Sequence, residues 1–420
     1  MKNTYNGPVA RFSSLGRSVS HLLGASTRSL ALVLLIGVLP LSHALAAETM
    51  PGMAKGMPRL ELGASALFAP DGNLLVAAKQ GEHVMIYRST DTGQSWSAPA
   101  AVNAQPEAIS ADGENRPKIA FAADGGLLVS WTHPFPKPNT GSVRLARADD
   151  GVHFSPPLTV HQDTAQITHR FESMLTTPDN KVILTWIDKR DLETAKASKT
   201  TYAGAAIYAA LSTDGGRTFQ PEYKLADHSC ECCRLTSALD HDGAPLFMWR
   251  HVYAPNERDH ALARLKPDGQ PESVKRATFD RWKVDGCPHH GPSLVVDAKG
   301  VRHAVWFNQK EGSGPVHYGR LVDHGKELQV EGQLTIGGPR AAHADLGSAG
   351  DKLGIVWKEF DGERTQLQAM LSTDGGKTFR TLPLEATDGA SDQPRVIRRG
   401  EALFAFWRTE KEGFRLFPLP

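Results

Sequence analysis

Long hydrophobic runs are nearly absent from this sequence: after the apolar stretch Leu30 to Leu41, no segment is long enough to cross a bilayer as a helix. An excess of one charge sign is missing too. With a formal net charge of +1 and no block of like charge, nothing points to nucleic acid or an anionic membrane surface as a partner. Helical periodicity is almost lacking, and short alternating segments between Gly-rich turns take its place, which argues an all-β chain. Cysteine is scarce, four in 420 residues, and it is concentrated: Cys230, Cys232 and Cys233 stand together and Cys287 follows.

What is present begins with an export signal. Arg11, Arg17 and Arg28 precede the apolar run, and Ala44-Leu45-Ala46 offers a small-x-small cleavage site. The expected organisation is a signal peptide over 1–46, a flexible Met-containing lead-in over 47–57 and one domain over 58–420. No membrane span remains after signal cleavage. The expected compartment is the periplasm, with secretion to the medium as the alternative. Export would put the cysteines where disulfides form and persist. In the lead-in, Met50, Met53 and Met57 are either spaced thioethers suited to Cu(I) or a plain disordered tail.

From about residue 60 a unit of roughly fifty residues repeats, a period expected of propeller blades. Its marker is a strand ending in tryptophan, at Trp131, Trp186, Trp249, Trp306, Trp357 and Trp407, with Leu74 to Ala78 at the equivalent place in the first unit. The count is about seven. The last unit, Pro394 to Pro420, supplies only three strands, and Pro58 to Leu62 is expected to return as the missing outer strand.

A second repeat overlies the first. Ser212-Thr213-Asp214-Gly215-Gly216-Arg217-Thr218-Phe219 recurs at Ser372 to Phe379, again at Ser89 to Trp96, and in worn form at Asp149 to Phe154. Ser and Asp side chains bond turn amides, Gly accepts positive φ and the aromatic packs beneath the strands, all structural roles. The pattern S-x-D-x-G-x-x-W/F resembles the Asp box of the sialidase superfamily of β-propellers. That resemblance implies an all-β propeller of six or seven four-stranded blades carrying Asp-box turns. Sialidases have six, so a count of about seven departs from the family.

Propeller topology gathers the starts of the inner strands and the ends of the second strands on one face, opposite the Asp-box turns. That face reads as polar and cationic. Arg116, His169, Arg170, Arg234, Arg250, His251, His343 and Arg395 recur at similar phases and are the candidate ligand-binding residues for an anionic small molecule or glycan. Cys230, Cys232 and Cys233 enter the fourth unit, and Cys287, His289 and His290 enter the fifth at the same phase. Either a disulfide staples two blades, or thiolates and imidazole hold a metal, for which sulfur and nitrogen favour copper or zinc, or the thiols are redox-active.

The family resemblance also implies a catalytic set, and this chain matches it in part. Glu172, with Asp188 and Arg190 in Trp186-Ile187-Asp188-Lys189-Arg190, resembles the segment carrying the family's glutamate and one arginine. Elsewhere the pattern fails. Leu62 to Leu67 stands where a first arginine is expected, no tyrosine follows Tyr318, and Lys79-Gln80-Gly81-Glu82-His83 offers no aspartate. The sequence therefore predicts a non-hydrolytic propeller that binds a metal or an anionic ligand. The alternative is an exo-sialidase-type glycoside hydrolase, or a lyase of the same superfamily, with a rearranged site at Glu172, Asp188 and Arg190. An envelope protein docking on the same face is a third kind of partner.

Overall fold

The computed structural model describes residues 60–420 apart from 267–268, 310–313 and 326. The expected signal peptide and Met-containing lead-in, and residues 58–59 of the expected domain, lie outside the described residues. Along each strand, successive side chains alternate between the two faces of the sheet. In Val182–Asp188 and its counterparts the hydrophobic residues face both neighbouring sheets, so these strands are buried on two sides.

Seven antiparallel sheets follow one another in chain order, each a simple meander. Their inner strands are Ala64–Phe68, Lys118–Phe121, His169–Thr176, Thr236–Leu239, Ser293–Val296, Ala341–Ala349 and Arg395–Arg399, here the starts of blades 1 to 7. Each inner strand packs on the next, and that of blade 7 packs on that of blade 1. The ring is therefore a closed seven-bladed β-propeller. A helix, Arg190–Ala197, follows the second strand of blade 3. Among the described residues no helix is long and apolar enough to cross a membrane.

Seven hydrophobic clusters fill the seven spaces between blades. Alternate residues of each second strand serve opposite clusters. Leu128 and Leu184 meet between blades 2 and 3, for example, while Ile183 meets Phe247 between blades 3 and 4. The marker tryptophans are the largest buried side chains. Each also needs an acceptor for its indole N–H: Trp131 donates to Glu107 (2.7 Å), Trp186 to Asp188 (2.9 Å), Trp306 to Asp280 (2.8 Å) and Trp357 to Glu359 (3.2 Å).

The three complete Ser-x-Asp turns close on the same bonds. In one, Gly216 N donates to Ser212 Oγ (2.8 Å), Ser212 Oγ to Asp214 (2.7 Å) and Thr218 N to Asp214 (3.0 Å). Closure of the ring differs from expectation. Leu60 to Leu62 forms no strand, and among the described residues blade 7 is a three-stranded sheet. Blade 1 keeps its own inner strand, so the ring closes through packing: Ala64, Val76 and Ala78 against Ile397, Phe404 and Phe406.

Candidate functional site

The segments leading into the inner strands converge on one face, and a buried charge network occupies its centre. Glu114, 3% exposed, accepts from Arg234 N (2.8 Å), Arg234 Nη1 (2.7 Å), Gly291 N (2.9 Å) and Gln393 Nε2 (2.8 Å). It thereby ties the entries of blades 2, 4, 5 and 7. Arg234 Nη2 adds blade 6 by donating to Ala344 O (3.0 Å). Burial opposes the charge on Glu114, but Arg234 and the neighbouring donors hold its carboxyl well below the usual range. Beside it, Arg116 makes a two-pronged bond to Asp392 (2.8 and 3.0 Å), with both side chains 1% exposed.

Several expected ligand-binding residues are thus committed internally. Arg116 and Arg234 serve the ring. Arg250 donates to Asn308 Oδ1 and to the carbonyls of Arg258, His290 and Phe307, lies over the Trp282 ring, and among the described residues has no carboxylate partner within 4.0 Å. His169 pairs with Asp188 (2.8 Å). His251 takes the Trp249 indole N–H (3.3 Å), and burial, with the His228 and Arg276 charges, pushes it down to about 4. Arg395 lies 3.2 Å from Asp345 and is depressed by burial and by Arg116 and Arg234.

Of the catalytic set of the alternative, Asp188 and Arg190 bond to each other, and each of the three is taken up by other internal partners. Glu172 is fully buried and takes bonds from Thr132 Oγ1 (2.9 Å), Ser130 Oγ (3.5 Å) and Lys118 Nζ (3.5 Å). Asp188 is also fully buried. Against the cost of burial, His169 and Arg190 hold it below the usual carboxylate range, and its second duty is to accept from Trp186. Arg190 is shared among Asp188, Asp163 and Glu222. None of the three lines the 330 Å³ cavity on this face.

The cavity that does open there has a volume of about 330 Å³. Its wall includes Asp112, Glu114, Asn139, Arg170, Lys189, Glu231, Cys232, Cys287, His289 and His343. Arg170 stands 3.9 Å from Asp112, and its Nε is buried without a partner. Lys189 pairs with Glu231. His343 is pushed down to about 4, chiefly by burial and against the pull of Glu114.

One side of this wall is the cysteine cluster. None of the four cysteines is disulfide-bonded. Cys230, Cys232 and Cys233, at 1%, 6% and 2% exposure, turn their sulfurs toward one another within 4.8 Å, with Cys230 Sγ 3.8 Å from Cys232 Sγ and 3.6 Å from Cys233 Sγ. Cys287, exposed, interacts with Cys232 from the blade 5 side. S–H donation from Cys232 and Cys233 holds Cys230 well below the ordinary thiol value. The two expected histidines do not join the sulfurs. His290 is stacked between Phe307 (3.8 Å) and His343 (4.0 Å), and His289 is an exposed part of the cavity wall.

Sequence reasoning missed Glu114, Asp392 and Gln393, and also Lys189 and Glu231 of the cavity. A signal existed for the first two: arginines predicted to crowd one axis require carboxylates. Their positions, 120 residues from Arg234 and 276 from Arg116, are not readable from spacing.

No protein-family model matches the chain, and no curated protein matches it by sequence. Solved structures do resemble it. An ulvan lyase of polysaccharide lyase family PL25, bound to -[GlcA(1-4)Rha3S]-, superposes with a TM-score of 0.55 at 11% identity, covering 84% of this chain and 91% of that one. The polysaccharide lyase Uly1 gives 0.54 at 9% identity, covering 90% and 94%. The Hadza microbial sialidase Hz136 gives 0.50 at 14% identity, covering 81% and 74%. The fold is thus shared with sialidases and with propeller-fold polysaccharide lyases.

Proposed function

We propose that this protein is a non-hydrolytic, exported propeller that holds a soft metal ion, copper or zinc, in the cysteine cluster at its channel mouth. The observation carrying this reading is the spacing of three buried sulfurs. A disulfide brings two sulfurs to about 2.05 Å. A tetrahedral metal with bonds of about 2.3 Å to sulfur holds them about 3.8 Å apart. The separations of 3.8 and 3.6 Å, now spanned by S–H···S contacts, are those the second arrangement needs and not those of the first. Cys230, Cys232 and Cys233 would hold the ion, and Cys287, which interacts with Cys232 from the next blade and stands outside the 4.8 Å set, would move in to serve as a fourth donor. An all-sulfur set suits Cu(I) or Zn(II) and disfavours magnesium and calcium. Bound metal would also keep adjacent thiols from oxidising in an exported protein.

Arg250 supports the reading independently. Its guanidinium is 1% exposed, is held by neutral acceptors alone, and acts electrostatically on Cys230 and Cys233. A buried cation calls for a counter-charge, which metal-bound thiolates would supply. The non-hydrolytic part rests on the burial of Glu172 and Asp188 away from the cavity and on the absence of tyrosine after Tyr318.

The test is elemental analysis with a free-thiol count on mature protein purified without chelators. Near-stoichiometric copper or zinc, lost in Cys233→Ser, is expected. Metal-free protein with its cysteines oxidised in pairs would sink the proposal.

A second reading has its own support: an acidic saccharide in the cavity. Arg170 presents a partly unpaired guanidinium there, and the structural neighbours include proteins named as polysaccharide lyases and a sialidase.

A further inference from the structure

The four sulfurs are not equivalent in their access to solvent. Cys230 and Cys233 are sealed among Phe171, Leu235 and Trp249 and take no part in the cavity wall. Their backbone is pinned as well, because Cys230 N donates to Arg250 O (2.8 Å) and the Arg234 amide next to Cys233 donates to Glu114 (2.8 Å). Cys232 and Cys287 do line the cavity. Cys287 differs again. It comes from the next blade, it is exposed, and it lies in the exposed stretch Asp285-Gly286-Cys287, where Gly286 has only Val284 within 4 Å of its missing Cβ.

An ion bound by such a set can exchange in one direction only. An incoming donor cannot reach it past Cys230 or Cys233, since their far sides are hydrophobic core. It must come through the cavity and meet Cys287 first.

Resting on the metal-binding reading above, we infer that Cys287 is the exchangeable fourth ligand: the site loads and releases its soft d¹⁰ ion through the cavity by displacement at Cys287, while Cys230, Cys232 and Cys233 retain it. In that step an incoming thiolate or chelator donor bonds to the metal, the metal–Cys287 bond breaks, and the departing thiolate takes up a proton from water. The metal keeps its oxidation state, so no oxidant or reductant is required. The cluster would then be a transfer site rather than a closed structural one, which normally surrounds its ion with anchored ligands.

The experiment uses full mature protein loaded with Zn(II), comparing wild type, Cys287→Ser and Cys233→Ser. Three quantities are read: retained zinc per chain, sulfur ligands per zinc by X-ray absorption, and the rate of transfer to a chromophoric chelator. Cys287→Ser is expected to keep one zinc, to drop from four sulfurs to three, and to release zinc at least about tenfold faster, taking the affinity loss from disturbing residues around a metal's ligands as the floor for losing a ligand itself. Cys233→Ser is expected to lose the metal. Peptide mapping of alkylated thiols gives a readout free of mutation, with Cys287 modified first in apo-protein and protected by zinc.

If wild type retains no zinc, both this inference and the metal-binding reading fail. If wild type binds zinc and Cys287→Ser matches it in sulfur count and release rate, only the inference fails. If Cys287→Ser loses zinc outright, Cys287 is a retaining ligand and the inference also fails, while the metal site stands.

Discussion

Removing one carboxylate should loosen the whole ring. Glu114 takes four hydrogen bonds from segments entering blades 4, 5 and 7 while belonging to blade 2. Glu114→Ala leaves Arg234, 4% exposed, without its counter-charge and leaves the Gly291 amide and the Gln393 side chain short of an acceptor. Stranding one member of a buried ion pair costs about 3–5 kcal/mol. At about 2.1 cal/mol/K of unfolding entropy per residue, a ring of roughly 360 residues falls by about 1.3 °C per kcal/mol, so Tm should drop by about 4–7 °C.

The effect must also depend on pH. The folded-state pKa of Glu114 lies well below its ordinary value of 4.5. A depressed carboxylate contributes stability that is fully present above the unfolded value and is lost as pH falls through the folded one. The gap between wild type and variant in thermal unfolding should therefore be widest near neutrality and shrink on acidification below 4.5. A gap under about 1 °C at pH 7 would refute the reasoning, since it would mean that the stranded arginine finds water or another partner at little cost. A gap that widens on acidification would also refute it.

Two further outcomes follow from the geometry. Gly376 has φ +77°, and a Cβ there would stand 2.1 Å from Tyr318 Oη, whereas Gly375, at φ +71°, has nothing within 4 Å. Calorimetry should find Gly376→Ala destabilised by about 2–5 kcal/mol, from backbone strain plus overpacking, and Gly375→Ala by only the strain, about 1–2 kcal/mol; equal losses would contradict the clash. For the saccharide reading, titration calorimetry with uronic acid-containing oligosaccharides should give binding that weakens roughly 10- to 100-fold in Arg170→Ala, the value of a charge-assisted hydrogen bond, and unchanged affinity would remove Arg170 from that role.

The architecture was legible because its signals are local and repeated. Trp131 through Trp407 mark six second strands, and the Ser-x-Asp turns mark hairpins whose hydrogen bonds lie within four residues. The cysteine cluster was legible for the same reason, since three members lie within four positions and the fourth shares their phase in the next repeat. The arginines were harder. Repetition correctly brought Arg116 and Arg234 toward one axis, but it could not say that Asp392 and Glu114 meet them there, because those carboxylates come from other blades. Asp188 and His251 misled for a related reason. Their recurring position after a tryptophan looks like a lining of the face, yet each accepts the indole N–H of the tryptophan two residues before it. The missing outer strand of blade 7 was inferred from a preference for complete sheets, and packing between blades 7 and 1 closes the ring without it among the described residues.

Charge arithmetic around the axis singles out the cysteine side of the ring. Arg116 is balanced by Asp392, Arg234 by Glu114, Arg395 by Asp345 and Arg190 by Asp188. Arg250 is as buried as Arg116, and its partners are amide oxygens and the face of Trp282, 5.3 Å from its guanidinium carbon. Amide dipoles solvate a cation without neutralising it, so an anion nearby lowers the energy of the folded state. A Cys230 thiolate, favoured by S–H donation from its neighbours and by Arg250, supplies one negative charge, and that charge in turn opposes ionisation of Cys233. A d¹⁰ ion changes that balance. Zn(II) with four thiolates and Cu(I) with three both leave a net charge of about −2, while the ion itself suppresses the repulsion between the sulfurs. The proposed ion would add to the negative charge beside Arg250 and relieve the repulsion between the sulfurs, and Lys189 on the cavity side acts with the same sign on Cys287.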